Sequence, residues 1–328
     1  EAALKYFLMG SFATGILLFG ITLVYGATRS FYLVNIATSI ASTPPESTPI
    51  FLSIGVLLIL VGSLFKISAA PFHFWTPDVY EGAPTPVTAL FAIVPKVAAF
   101  GLIIRLLTGP FASLHEQASQ IIVFVALASS ILGAFAGLAQ NNFKRLIAYS
   151  SIANMGYALL GLLSGTPEGV ASVVLYLTIY MVMTAGVFAV LMGLKREGHS
   201  VETISDFAGL VKKCPVKAYC MTGLLFSMSG LPPLAGFFAK LFVFQTAVAG
   251  GYFVVAVIGV LASVVASYYY LRVIKVMLFD TPQGEFDTDC CLSRKAVMIG
   301  AVAFILIFTL VPNYLLDQAQ VAAGTLFP

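Results

Sequence analysis

Charge is what this sequence has least of: 9% of its 328 residues are Asp, Glu, Lys or Arg, against roughly 25% in a soluble domain. With 59% hydrophobic residues and a mean hydropathy of +0.99, no soluble domain of useful size fits between the apolar runs. The net charge is only +3, and the basic residues are scattered in short clusters, not gathered in a stripe that could follow a phosphate backbone. Nucleic acid is therefore not an expected partner. Cysteine is also scarce: Cys214, Cys220, Cys290 and Cys291 have neither metal-ligand spacing with histidine nor a secreted disulfide framework. A vicinal pair rarely makes a strain-free disulfide, so all four read as reduced thiols. No glycine loop follows a strand, His115 and His199 lie far apart in sequence, and no cysteine cluster can hold iron and sulfur. These absences argue against metal or cofactor chemistry within the chain. A basic leader with a small-residue cleavage site is missing too, so the first apolar run reads as structural. The chain opens at Glu1, not Met, at the entrance of an apolar helix, and further residues are expected upstream.

What is present is a succession of apolar runs of bilayer length, about 20 residues each. Nine spans are expected, at approximately 2–26, 50–80, 86–109, 118–140, 143–164, 168–194, 214–249, 251–279 and 295–318. They lack the alternation of barrel strands, and lipid offers no partner to free backbone groups, so the spans must be helices. The fold class is an all-α polytopic membrane bundle, integral and multi-pass. If the chain crosses once per span, Lys5, Lys144, Arg145, Lys195, Arg196, Lys212, Lys213, Lys217, Arg272, Lys275, Arg294 and Lys295 fall on one side, and only Arg29 and Arg105 on the other. The positive-inside rule assigns the first side, which also carries Glu1, to the cytoplasm or its equivalent.

Two spans are too long for one crossing and too short for two. Residues 50–80 contain Gly62, Ser63 and Pro71, and residues 214–249 contain Ser229, Gly230, Pro232, Pro233 and Gly236. Each reads as a transmembrane helix broken inside the membrane, since proline removes a donor and clashes with the preceding turn. They are the second and seventh spans, and an odd offset of five gives them opposite directions, as an inverted repeat of five-helix units would. Their sequences align poorly, so the evidence is topological. Residues 1–328 then form one membrane domain: 1–109 as the remainder of a first repeat, 118–279 as a second, and 280–328 as an exposed acidic loop and final helix. Outside the spans, residues 27–49, with Pro44 and Pro45, form the longest segment on the side opposite Glu1. In 195–213, Val201, Ile204, Phe207, Leu210 and Val211 suggest a short amphipathic helix.

Three lysines sort to neither side because they lie inside spans. A lysine near the bilayer centre costs roughly 2.5 to 3.5 kcal/mol on insertion scales, so such residues face a cavity and mark an ion or proton path. Lys66 lies at the first break, with snorkelling to an interface as the alternative. Lys96 sits mid-span behind Pro95, which frees the carbonyl of Phe91 for a water or the ammonium. The alternative, a structural pair with a carboxylate, is weakened because no Asp or Glu lies centrally in any span. Lys240 follows the second break, where it either works in transport or only satisfies free helix carbonyls. Burial of an ammonium in a low dielectric favours proton release, which is a physical basis for a relay. His73 titrates near neutrality and either assists or merely hydrogen-bonds a carbonyl. Asp78 and Glu81 either gather protons at the mouth of that side or solvate the loop, the second being favoured, and Glu1 and Lys5 read as a helical surface pair. Tyr149, Ser150, Ser151 and Asn154 read as interhelical packing and hydrogen bonding in preference to a proton path, and Tyr268, Tyr269 and Tyr270 as an interfacial belt.

The stretch FKISAAPFHFWTPDVYEGAPTPV, together with EAALKYF, NNFKRLIAYSSIANMGY, GLPPLAGFFAKLFVF and SYYYLRVIKVM, resembles the N subunits of proton-pumping NADH:quinone oxidoreductase, respiratory complex I. These are antiporter-like membrane subunits; their M and L relatives and the sodium/proton antiporters usually carry a PDAH-type sequence where this chain has PDVYEGAP. The resemblance implies fourteen helices in two inverted five-helix repeats, with helices six to fourteen present here and the N-terminal ones missing. It places Lys66, Lys96 and Lys240 on helices seven, eight and twelve. It also implies a glutamate partner for Lys66 on helix five, upstream of Glu1, which itself matches the start of helix six. The expected function is proton translocation through the three lysines, His73 assisting, as a non-redox subunit of the translocase. NADH, FMN, iron–sulfur clusters and quinone are expected in partner subunits, none in this chain. Expected partners are other membrane-arm subunits, including a neighbouring antiporter-like subunit and small membrane subunits, and lipid, in a bacterial inner membrane or an organellar one. The alternative is a subunit of a multisubunit sodium/proton antiporter, against which the lack of central carboxylates counts.

Overall fold

The computed structural model describes residues 1–42, 49–196, 198–282, 284–287 and 291–327. Pro44, Pro45 and Cys290 lie outside the described residues, as does part of the 280–292 loop. In chain order the helices are α1 (Ala2–Thr28), α2 (Leu33–Ala41), α3 (Ile50–Lys66), α4 (Thr76–Gly82), α5 (Thr85–Thr108), α6 (His115–Leu138) and α7 (Phe143–Leu160). They continue as α8 (Pro167–Met192), α9 (Leu210–Lys213), α10 (Pro215–Ser229), α11 (Ala235–Ala249), α12 (Phe253–Phe279), α13 (Leu292–Leu310) and α14 (Asn313–Gly324). Six helices among the described residues are long and apolar enough to cross a membrane. The chain is an integral, multi-pass, all-α membrane protein.

The bundle closes around α7, whose residues are almost all buried. Helix α6 lies against it through small residues: a Cβ on Gly133 would stand 2.6 Å from the backbone of Tyr149 and Ala153, and one on Gly156 2.6 Å from the Ser130 hydroxyl. Such close backbone approach is how helices associate where lipid removes the hydrophobic drive between them. Around α7 stand α4, α8, α11 and α12, while α1 packs on α3 and α13 on α8.

Both long spans are interrupted. Helix α3 continues through Gly62 and Ser63, which were expected to break it, and ends at Lys66. Ser68 then takes a left-handed φ of 63°, and the Ala69 N–H returns to the Leu64 carbonyl, closing the helix end. Helix α10 ends at Ser229, Gly230 takes φ 82°, and the Leu231 N–H returns to the Phe226 carbonyl. Gly236, expected as a breaker, instead lies inside α11. Its N–H donates to the Ser227 hydroxyl at 3.0 Å, and a Cβ there would collide with the Ser227 carbonyl at 1.8 Å.

Two other expectations are corrected. The final span does not run to residue 318: α13 stops at Leu310 because Pro312 cannot continue it, and α14 packs separately against α8. Residues 195–213 form no amphipathic helix of useful length. They make a hairpin, Lys195–Arg196 with His199–Ser200, then a 3-10 turn at Ile204–Phe207 and the single turn α9. Their apolar residues Val201, Ile204, Phe207 and Leu210 are nevertheless buried.

Candidate functional site

The interior of a helical bundle in lipid must be dry or fully partnered, so its buried polar groups are the place to look for chemistry. Lys96, on α5, is completely buried, and its ammonium donates to the Ser151 hydroxyl of α7 at 2.5 Å. It lies 5.6 Å from the ring centre of Tyr80, within the range of a cation–π contact. The Phe91 carbonyl freed by Pro95 is not its partner. One residue on, the Ala92 carbonyl accepts from the Tyr180 hydroxyl at 3.3 Å, and Tyr180 is in turn 2.5 Å from Ser151.

Lys240, on α11, is buried beside the second break. Its ammonium donates to the Ser229 carbonyl at 2.9 Å and to the Ser263 hydroxyl of α12 at 2.8 Å, and lies 5.3 Å from the Tyr157 ring centre. The Ser229 carbonyl is one of those a helix C-terminus leaves without an internal donor. Lys240 thus satisfies a freed carbonyl, as one of the two sequence readings requires, and also reaches a hydroxyl on a neighbouring helix.

Between these lysines runs one face of α7. Ser151 touches Lys96; about a turn on, Asn154 accepts from the Tyr176 hydroxyl at 2.7 Å and donates to the Ser150 carbonyl at 2.8 Å; about another turn on, Tyr157 faces Lys240. Ser150 meets the Tyr270 hydroxyl at 2.5 Å. Spacings of three and four residues put these groups in one row.

Lys66, at the end of α3, is half-buried, and among the described residues its ammonium has no hydrogen-bond or ion-pair partner; the Phe65 ring centre lies 5.9 Å away. No hydrogen bond joins it to Lys96, Lys240 or His73. His73 is buried against Phe74, ring centres 4.7 Å apart, and its Nδ1 has no hydrogen-bond partner among the described residues. The structure therefore brings Lys96 and Lys240 to a common polar row and leaves Lys66 and His73 at the first break.

The mouth is tied down by charge. Arg145, in the first turn of α7, donates to Asp78 at 2.7 Å and Glu81 at 2.8 Å, and Lys5 also pairs with Asp78. Lys144 donates to the carbonyls of Glu81 at 2.6 Å and Ala83 at 3.1 Å, clamping the α4–α5 corner. Asp78 and Glu81 are thus bridging groups, not loop solvation, and Lys5 reaches across helices, not along α1 to Glu1. The reading of three tyrosines as a belt also fails: Tyr268 is exposed, but Tyr269 and Tyr270 are buried. Successive helical residues point about 100° apart, so three in a row cannot share one interface. Ser263 and Tyr157 carried no signal of their own; Tyr176 and Tyr180, four apart on α8, were detectable only as a polar pair in an apolar run.

A family model described as NADH:quinone oxidoreductase/Mrp antiporter, TM, matches residues 1–266. The chain is 48% identical to the NADH-quinone oxidoreductase subunit N of Rhodospirillum rubrum over 99% of its own length and 66% of the relative's. With that of Parvibaculum lavamentivorans the identity is 50%, over 100% of this chain and 67% of the other. The chain thus spans about two thirds of the length of these curated relatives. Among solved structures it resembles a chain of respiratory complex I from Thermus thermophilus with bound aureothin, with TM-score 0.82 and 34% identity, over 97% of this chain and 68% of that one.

Proposed function

The chain belongs to the NADH:quinone oxidoreductase/Mrp antiporter transmembrane family, and from that premise we propose that it is the proton-translocating N subunit of a respiratory complex I in a bacterial inner membrane. Redox chemistry with NADH, FMN, iron–sulfur clusters and quinone belongs to partner subunits, and this chain moves protons. The observation that carries the reading is the polar row of α7, with a buried lysine held by a hydroxyl near each end, Lys96 on Ser151 and Lys240 on Ser263. An ammonium bound to a hydroxyl can hand over a proton and take back another, while the row of Ser, Asn and Tyr groups offers donors and acceptors between the two. Lys66, half-buried and without a hydrogen-bond partner among the described residues, is the entry group on the cytoplasmic side, and His73 lies in the same break. Lys96 stores and passes the proton, and Lys240 releases it toward the far side.

The test is Lys96→Met in the full-length polypeptide within its complex. Quinone-coupled proton transport in reconstituted vesicles is expected to fall by at least about tenfold while the complex remains assembled. Wild-type transport in that variant would remove the lysine relay. Sodium-dependent proton exchange by the polypeptide without redox partners would move the assignment to the antiporter branch of the family.

A further inference from the structure

We propose that the buried Tyr80 hydroxyl is a second station for the Lys96 ammonium, which alternates between Ser151 on α7 and Tyr80 on α4; the inference rests on the lysine relay proposed above. Lys96 donates only to Ser151, so two of its three N–H donors have no partner among the described residues. Its Nζ lies 5.6 Å from the centre of the Tyr80 ring, and Tyr80 is fully buried with its hydroxyl unpartnered among the described residues. Ser151 and Tyr180, the groups at the first station, are close enough to act on that hydroxyl electrostatically. An ammonium with unused donors and a buried hydroxyl with an unmet acceptor thus share one part of the interior, where leaving both unmatched is costly. Lysine carries its charge on a flexible four-carbon stem, so Nζ can cross to Tyr80 without backbone movement.

The build of α4 separates this role from core packing. Asp78 and Glu81, three apart, share the face that Arg145 holds. Tyr80 points about 200° around the helix from Asp78, and Thr76 lies four residues before it on the same side. The hydroxyls of Thr76 and Tyr80 are both buried and both unpartnered among the described residues. The backbone that carries them is fixed: the Thr88 hydroxyl donates to the Tyr80 carbonyl at 3.0 Å, and Lys144 to the carbonyls of Glu81 and Ala83. A segment bonded this closely leaves the hydroxyls of one face unmet, and Lys96 meets that face. The same helix starts at the first break, where the Thr76 N–H donates to the His73 carbonyl at 2.9 Å. A station on α4 therefore turns Lys96 toward the break that holds Lys66 and His73, which no hydrogen bond reaches from the Ser151 position. The lysine takes up its proton on the α4 side and gives it to the row of α7.

The test is Tyr80→Phe in the full-length polypeptide within its complex, which keeps the ring beside Lys96 and Trp75 and removes only the hydroxyl. Quinone-coupled proton transport in reconstituted vesicles, counted per assembled complex, is expected to fall on the order of tenfold. Wild-type transport in this variant beside a strong loss in Lys96→Met would overturn the second station and leave the relay standing, whereas wild-type transport in both would remove the relay itself. A second measurement reads the contact directly. The infrared C–O stretching band of Tyr80, isolated by subtracting the Tyr80→Phe spectrum, is expected to move when the same subtraction is made in a Lys96→Met background. A band at one position in both backgrounds would overturn the proposal, because the hydroxyl would then be indifferent to the ammonium.

Discussion

The two interrupted crossings use one backbone device and treat their lysines differently. In both, a helix ends in a left-handed residue, Ser68 or Gly230, and the next N–H returns to the carbonyl five residues back, at Leu64 or Phe226. In both, a proline follows three residues after the left-handed one, Pro71 or Pro233. At the second break the chain comes back as α11, and Lys240 reaches the Ser229 carbonyl, which also accepts from the Ser267 hydroxyl at 3.1 Å. At the first, the lysine belongs to the helix that ends. The indole of Trp75 donates to the Phe65 carbonyl at 3.2 Å and the Ser68 N–H to the same oxygen at 3.0 Å, so Lys66 is left with an aromatic ring for a neighbour. Which side of the break carries the lysine decides whether the freed carbonyls anchor it. The second break holds a fixed charge, and the first a charge free to exchange partners.

The sharpest way to test that contrast is at the left-handed residues. Gly230→Ala must accommodate a Cβ at φ 82° and also 2.9 Å from Cδ and 3.1 Å from Nζ of Lys240. Left-handed strain of roughly 1–2 kcal/mol adds to a displaced ammonium, so a loss of about 2–3 kcal/mol is expected in unfolding from mixed micelles. A loss no greater than left-handed strain alone would show that Lys240 is not held at the break. Trp75→Phe comes next. It keeps an aromatic ring beside Tyr6 and Phe65 but removes the indole N–H, while the Phe65 carbonyl retains the Ser68 bond. A cost of about 0.5–1.5 kcal/mol by the same measurement is expected. If Lys66 takes over the vacated oxygen the cost vanishes, and the first break then behaves like the second.

Much of this architecture was legible because lipid leaves so few choices. Apolar runs must be helices and a lysine inside a span needs a reason, so the all-α multi-pass class and the three interior lysines could be read from residues alone, whereas, among the described residues, six of the nine expected spans became helices long enough to cross by themselves. The partners could not be read. Ser151 and Ser263 are ordinary in sequence and become ligands for ammonium groups only because α5 faces α7 and α11 faces α12. The stripe Ser150, Ser151 and Asn154 was visible as a polar face, but whether it would meet leucines or lysines depends on which helices surround α7. Span order related the two breaks, but the turn they share was invisible for another reason. LFKISAAP and FSMSGLPP share almost no side chains, and what they share is a left-handed turn that serine and glycine reach at different cost. Pro312, by contrast, was a plain stop signal inside the last apolar run, where hydropathy alone extended the helix too far.

The smallest expected effect bears on that difference in cost. Ser68 is a non-glycine residue at φ 63°, buried, with its hydroxyl unpartnered among the described residues, whereas the equivalent position of the second break carries glycine. Ser68→Gly should relieve the left-handed strain and remove a buried hydroxyl without disturbing the Ala69-to-Leu64 bond, which is backbone only. Against this, glycine loses more chain entropy on folding, roughly 0.5–1 kcal/mol. The two terms nearly cancel, and the net change in unfolding free energy should stay within about 1 kcal/mol, on the stabilising side. A loss well beyond that would mean that the Ser68 hydroxyl does have a partner in the membrane. If that partner is the Lys66 ammonium, the first lysine is anchored as well, and the contrast between a fixed and an exchangeable charge disappears.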